Sequence, residues 1–323
     1  MKNKLLAIAL LACFVSLNIS CQKKSTSEVK QTGRAIAVIP KGTTHIYWQS
    51  VKAGAEAAGK EFGYQIYWNG PERETDRERQ IQIIEDFIVQ KVDGIVLAPL
   101  DREALVPSVE KLNSLKIPCA IIDSGIDANA DKYVTFAATD NYHGGALAAK
   151  RMGEILGGKG NVIVIKYVPG SASTTDRENG FIETIGKEFP DIKIIDSKYG
   201  QDTVETALQV TEDMLTRNQN VQGLFACNAS TAVGSFQALQ SQKRSEIKMV
   251  GFDSEKALLD GLRVGQIDAL IVQNPYKMGY EGVKAVVAAI KGETVQKKID
   301  TGVTVVTKTS LDDPAIKALL NIQ

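Results

Sequence analysis

The chain has 323 residues, with 38 basic side chains balancing 38 acidic ones, so its formal net charge at pH 7 is zero. Basic runs are short and scattered, which argues against nucleic acid as a partner. Its two histidines and four cysteines show no metal-ligand spacing, so no metal is expected.

At the amino terminus Lys2 and Lys4 precede an apolar run from Leu5 to Val15, with no acidic residue before Cys21. The run is a secretory signal rather than a span, because a span needs ~20 apolar residues. Small Ser20 directly before Cys21 resembles a bacterial lipobox, although Asn18 stands three before the cysteine, where an aliphatic residue is usual. The expectation is a signal peptide over residues 1–20 and acylation of Cys21, with simple secretion as the alternative. The polar, aperiodic "QKKSTSEVKQTG" makes 21–33 a lipidated flexible tether. Loss of Lys2 and Lys4 leaves the mature chain slightly acidic.

From Arg34 onward, apolar runs alternate with helical patterns. "RAIAVIP", "YQIYWNG", "GIVLAP" and "PCAIID" are apolar enough to be strands covered on both faces. Between them, Gln49 to Gly63 puts Val51, Ala55, Ala58 and Phe62 on one helical face, and Glu74 to Lys91 does the same with Ile81, Ile84 and Ile88. Strand then helix, repeated, implies parallel sheets in an α/β fold. No later apolar stretch is long enough to cross a bilayer.

The second half echoes the first: "GKEFGYQIYW" at 59 and "GKEFPDIKII" at 186, "VDGIVLAP" at 92 and "VQGLFACN" at 221, "IPCAIIDSG" at 117 and "IKMVGFDSE" at 247. Three echoes in order, at offsets of 127, 129 and 130 residues, predict two similarly wound lobes. In each half an aspartate, Asp123 or Asp253, ends an apolar strand and is followed by serine. Open parallel sheets bind ligands beyond the carboxyl ends of their strands, so both aspartates point into one cleft if the lobes face each other through those ends. Cys119 and Cys227, in apolar strands of opposite halves, read as buried free thiols.

Enzyme chemistry finds little support. "AVIPKGTTHIYW" lacks a dinucleotide glycine fingerprint, "GGKGNVIVI" carries its glycines before the strand, and no P-loop occurs. There is no Gly-x-Ser-x-Gly elbow, and His45 and His143 are the only imidazoles to pair with a nucleophile. Carboxylates are plentiful, which keeps a glycosidase as a distant alternative.

The stretches "GTTHIYWQSVKAGAEAAGKEFG", "VDGIVLAPLD", "IIDSG", "ATDNYHGGALAA", "VPGSASTTDRENGF", "VQGLFACN", "MVGFD" and "LIVQNPYKMGYEGVKA" occur in that order. Together they resemble the type I periplasmic sugar-binding proteins, near the ribose-binding branch, over about Arg34 to Thr307. The resemblance implies two doubly wound parallel-sheet lobes joined by three hinge crossings near Asn141, Gln273 and Thr301. The lobes would comprise residues 34–141 plus 274–301 and residues 142–273 plus 302–323. It further implies a protein with no cofactor that closes over a neutral sugar or polyol and delivers it to the permease and ATPase of an ABC importer; a monomer is expected, held to the membrane by the lipid on Cys21.

By the same resemblance Tyr47 and Trp48 match the aromatic pair that sandwiches the sugar ring, whose apolar C–H faces suit aromatic surfaces. Asp123, Asn228, Asp253 and Gln273 fall on ligand positions at strand ends, with capping of the following helix as the aspartates' alternative role and Ser124 or Ser254 able to cap instead. Arg177 lies in "DRENGF", where Thr175 replaces the arginine that usually contacts sugar; a surface ion pair is an equal account of Arg177. Ala98 replaces the asparagine usual after the third strand, and Ser124 replaces the arginine after the first aspartate, which argues against assuming ribose. The loop "WNGPERETD" places Trp68, Glu72 and Asp76 near the cleft mouth, either as replacement contacts or as a solvated acidic turn. The same fold also presents ligand to membrane kinases or chemoreceptors, and sensing stands as the second function. Regulators of the lactose-repressor type share the fold but begin with a helix-turn-helix, where this chain carries a signal peptide.

Overall fold

The computed structural model describes residues 34–320. The signal peptide, Cys21, the tether and residues 321–323 lie outside that range. In chain order the first elements are β1 (Ala35–Ile39), α1 (Tyr47–Phe62), β2 (Gln65–Trp68), α2 (Arg77–Gln90), β3 (Gly94–Leu97), α3 (Val106–Ser114), β4 (Cys119–Ile122) and β5 (Phe136–Ala138). There follow α4 (Asn141–Leu156), β6 (Lys159–Lys166), α5 (Ala172–Glu188), β7 (Asp191–Tyr199), α6 (Val204–Arg217), β8 (Gly223–Ala226), α7 (Ala229–Ser241), β9 (Lys248–Phe252), α8 (Lys256–Val264) and β10 (Ala269–Gln273). The chain ends with α9 (Pro275–Ile290), β11 (Lys298–Asp300), β12 (Val303–Val306), a 3₁₀ turn (Lys308–Ser310) and α10 (Pro314–Leu320).

Two six-stranded sheets form, in the orders β11-β5-β4-β3-β1-β2 and β12-β10-β9-β8-β6-β7. The orders are equivalent, so the sequence echo is a repeat of topology: β3 and β8 carry the second pair of echoing segments, β4 and β9 the third. β1, β3 and β4 are buried along their whole length, as strands covered by helices on both faces must be. One strand departs from the all-parallel expectation: β12 runs antiparallel to β10 along the sheet's edge. It enters from the other lobe through a short connection, with no helical crossover to reverse its direction.

The chain passes from one sheet to the other between β5 and α4, between β10 and α9, and between β11 and β12. At the first two passages a side chain starts the next helix: Asp140 accepts from His143 N and Asn274 from Lys277 N, with Pro275 opening α9. Near the third, Thr139 Oγ1 donates to Gly302 O at 3.2 Å and ties two crossings together.

The buried face of α2 differs from the expected Ile81, Ile84 and Ile88 stripe: Gln80, Ile83, Ile84 and Phe87 are the buried residues. The reason is a buried amide with all its bonds made. Gln80 donates to Pro40 O and Ala98 O, both at 2.9 Å, and accepts from Leu100 N at 2.9 Å. It thereby joins the loops that follow β1 and β3, where the first lobe meets the cleft.

Candidate ligand site between the lobes

Asp123 follows β4 and Asp253 follows β9, and both hold left-handed backbone at φ 62° and 70°. That conformation costs a residue with a side chain ~1–2 kcal/mol, which concentrates it where a side chain must be re-aimed. Here it turns two carboxylates, 4% and 6% exposed, from the strand ends into one interlobe cavity.

Asp123 accepts from the Tyr47 hydroxyl at 2.8 Å, and Lys41 Nζ stands 2.9 Å from Oδ2. Apart from this ion-pair contact, Oδ2 is buried with no hydrogen-bond partner. Burial, then the Asp123 charge, push the Tyr47 hydroxyl well above its usual range and keep it a donor. Across the cleft Asp253 accepts from Gln273 Nε2 at 2.7 Å and from Ala229 N at 3.0 Å. Burial raises Asp253 above the ordinary carboxylate range, against the opposing pull of Arg177. Gln273 Oε1 is buried and unpartnered.

Neither aspartate caps the helix that follows it. Asp253 reaches the first residue of α7 instead, while α8 starts at Glu255 without a side-chain cap, so Ser254 does not cap it. Asn228 itself caps α7, accepting from Thr231 N at 3.3 Å and donating to Ser230 Oγ at 3.2 Å. It lines the cavity with most of its amide already engaged.

Tyr47 and Trp48 both line the cavity, yet their rings meet edge to face at 89° with centroids 5.1 Å apart. Rings at right angles cannot both lie flat on one sugar ring, so in this geometry the pair does not form a sandwich. Trp48 Nε1 donates to Glu74 Oε1 at 2.7 Å, and Tyr167 of the second lobe donates to Glu74 Oε2 at 2.9 Å.

Arg177 is no surface ion pair. It is 2% exposed, donates from Nε to Asn141 Oδ1 at 2.8 Å and from Nη1 to Cys227 O at 3.1 Å, and lies 4.2 Å over the Phe252 ring. Glycines let α5 bring it there: a Cβ on Gly145 would stand 2.0 Å from Arg177 O, and one on Gly180 would stand 2.1 Å from Tyr142 O.

Ser124 and Thr175 do not line the cavity. Ser124 Oγ accepts from Ser173 N at 3.1 Å across the lobes, and Thr175 sits one residue past Ser173 and Thr174, which form that part of the wall. From the "WNGPERETD" loop, Trp68 and Glu72 stay outside and Asp76 caps α2 through Arg79 N. The residue of this loop that enters is Glu74, 9% exposed. Lys41, His45, Tyr167, Ser173 and Thr174 are likewise lining residues without a sequence flag. Lys41 two residues past β1 and Tyr167 directly past β6 obey the strand-end rule that singled out the aspartates, and were legible by it.

The cavity offers about 40 Å³ to the centres of water-sized molecules, a small space that leaves no room for an oligosaccharide. Two cations, Lys41 and Arg177, stand against three carboxylates, Glu74, Asp123 and Asp253. Among the described residues no group of acidic, histidine or cysteine side chains could hold a metal ion, and no helix is long and apolar enough to cross a membrane. Cys119 and Cys227 are both free and buried, and burial pushes the Cys119 thiol up to about 12.

Behind Asp253 and Gln273 a second crevice contains Glu255, whose Oε2 is buried without a partner. Burial, then the Asp253 charge, raise this carboxyl from 4.5 to about 8. The fold therefore favours its protonated form, so its stabilising contribution is complete below about 4.5 and lost as the pH rises towards 8. Urea melts from pH 5 to 9 are expected to show stability falling by up to ~1.4 kcal/mol per pH unit in that window, and Glu255→Gln to remove this component. An unchanged pH slope in the variant contradicts the assignment.

Two wound lobes with paired carboxylates converging on one pocket between them define a solute-binding protein. Comparison with known proteins agrees. The family model of the periplasmic binding protein domain matches residues 36–294, and the chain belongs to that family. A carbohydrate transporter solute-binding protein from Agrobacterium radiobacter, solved with D-arabinose, superposes with a TM-score of 0.87 at 37% identity, covering 90% of this chain and 99% of the other. An ABC transporter solute-binding protein from Agrobacterium vitis, solved with D-fucose, does so with a TM-score of 0.84 at 39% identity, covering 88% and 98%. The D-allose-binding periplasmic protein of Escherichia coli is 30% identical over 266 residues, 80% of this chain and 85% of that one.

Proposed function

We propose that the chain is an exported lipoprotein that captures one neutral monosaccharide between its lobes and hands it to an ABC importer. The carrying observation is the convergence of Asp123 and Asp253, from equivalent strand ends of the two lobes, on a cavity that also holds an aromatic pair and two buried acceptors, Asp123 Oδ2 and Gln273 Oε1, without hydrogen-bond partners. Carboxylate and amide oxygens accept from sugar hydroxyls, and the aromatic faces take the C–H surface. Arabinose, fucose and allose in the relatives point to the same ligand class.

Thermal-shift screening against pentoses, hexoses, polyols and disaccharides tests the reading, since a ligand at a hundredfold over its Kd stabilises by ~2.7 kcal/mol. Stabilisation by a monosaccharide is expected; response to none of the panel overturns the proposal. For the anchor, Cys21→Ala is expected to abolish lipid labelling and move the protein from the membrane to the soluble fraction. A variant that keeps its label shows that Cys21 is not the acylated residue.

A further inference from the structure

We propose that the loop joining β2 to α2 is a strap across the cleft, in which Arg73 and Asp202 hold the lobes together and set the rate of ligand release. The inference rests on reading the cleft as a ligand site. Arg73 donates to both oxygens of Asp202, from Nε at 3.1 Å and Nη2 at 2.6 Å, and Thr75 Oγ1 adds a third bond at 3.2 Å. A few residues along, Arg77 Nη2 donates to Pro169 O at 3.0 Å. All four bonds run from the first lobe to the second.

Exposed ion pairs usually contribute little, because water serves both partners almost as well. This pair is asymmetric: the Arg73 side chain is 59% exposed, whereas the Asp202 side chain is 3% exposed. Asp202 depends on the strap for its partners while the cleft is shut and exchanges them for water when the lobes part. The bonds thus exist in the closed form alone and bias closure rather than the folding of either lobe. Neither Arg73 nor Asp202 lines the cavity, so the pair acts without touching ligand. Between Arg73 and Thr75 lies Glu74, which does line it and which bonds Trp48 on one side and Tyr167 on the other. Through Glu74 the strap is seated by the same side chains that bound the ligand space, which links occupancy to latching.

The test compares wild type, Arg73→Ala, Asp202→Asn and the exchanged pair Arg73→Asp with Asp202→Arg. Stopped-flow release of the sugar found in the screen is read together with small-angle scattering of the free and loaded protein. Each single variant is expected to release sugar roughly tenfold faster and to shift scattering towards the open form. The ratio of its affinities for two different sugars should stay at the wild-type value, as should melting without ligand, and the exchanged pair should recover part of the slow release. Wild-type release and scattering in Arg73→Ala overturn the strap, and a changed affinity ratio shows that Arg73 acts on the ligand itself. If the wild type binds no sugar, the ligand-site reading fails, while scattering of the free variants still decides whether the pair holds the lobes together.

Discussion

Asp253→Ala is expected to weaken sugar binding by roughly ten- to a hundredfold, the worth of ~1.5–3 kcal/mol for hydrogen bonds to a charged group. The cause is larger than one lost acceptor. Asp253 holds Gln273 Nε2 and Ala229 N, so its removal also frees the Gln273 amide, whose Oε1 is the unpartnered acceptor of the second lobe. Asp253→Asn should rescue poorly, because one face of an amide would have to present a donor to Ala229 N–H or to the Gln273 amide. The fold should survive, since Asn228 still caps α7. A folded Asp253→Ala protein with wild-type affinity would show that this side chain only tethers α7.

Asp123→Ala is expected to do more. It removes a ligand acceptor and leaves the Lys41 ammonium, 4% exposed, with only the Ser171 and Ser173 hydroxyls at 3.4 and 2.9 Å. Breaking a buried pair by deleting one partner costs ~3–5 kcal/mol. Since both serines belong to the second lobe, opening the cleft lets water reach the lysine and relieves part of this, so the cost falls on the closed form. Binding should drop by more than about a hundredfold, with the free protein shifted towards open. Adding Lys41→Met should restore melting behaviour but not binding. If the double variant melts like Asp123→Ala, the stranded lysine is not the source of the loss.

Much of the fold was legible because periodicity and repetition are local properties of the text. β1, β3 and β4 match apolar runs to within a residue or two, and the echoing segments foretold two sheets of one topology. The face of α2 was not, since a hydropathy pattern marks Gln80 as exposed and carries no trace of the three backbone groups that satisfy it. At the site, Asp123 and Asp253 could be read because each ends an apolar strand. Glu74 could not: in "PERETD" it is one acid among several charged neighbours, and what separates it from Glu72 is a hydroxyl 93 residues away in the other lobe. Ser124 and Thr175 err in the same manner, by a displacement of a residue or two along the chain that only the meeting of the lobes reveals.

The central claim is that the cavity takes one sugar ring. Calorimetric titration of the exported protein with the monosaccharide selected by thermal shift, and with a disaccharide containing that ring, tests it most directly. The account predicts one monosaccharide per chain, with a negative heat-capacity change from closure over apolar surface, and no heat from the disaccharide. Equal binding of the disaccharide, or no binding of any monosaccharide to folded protein, would contradict it.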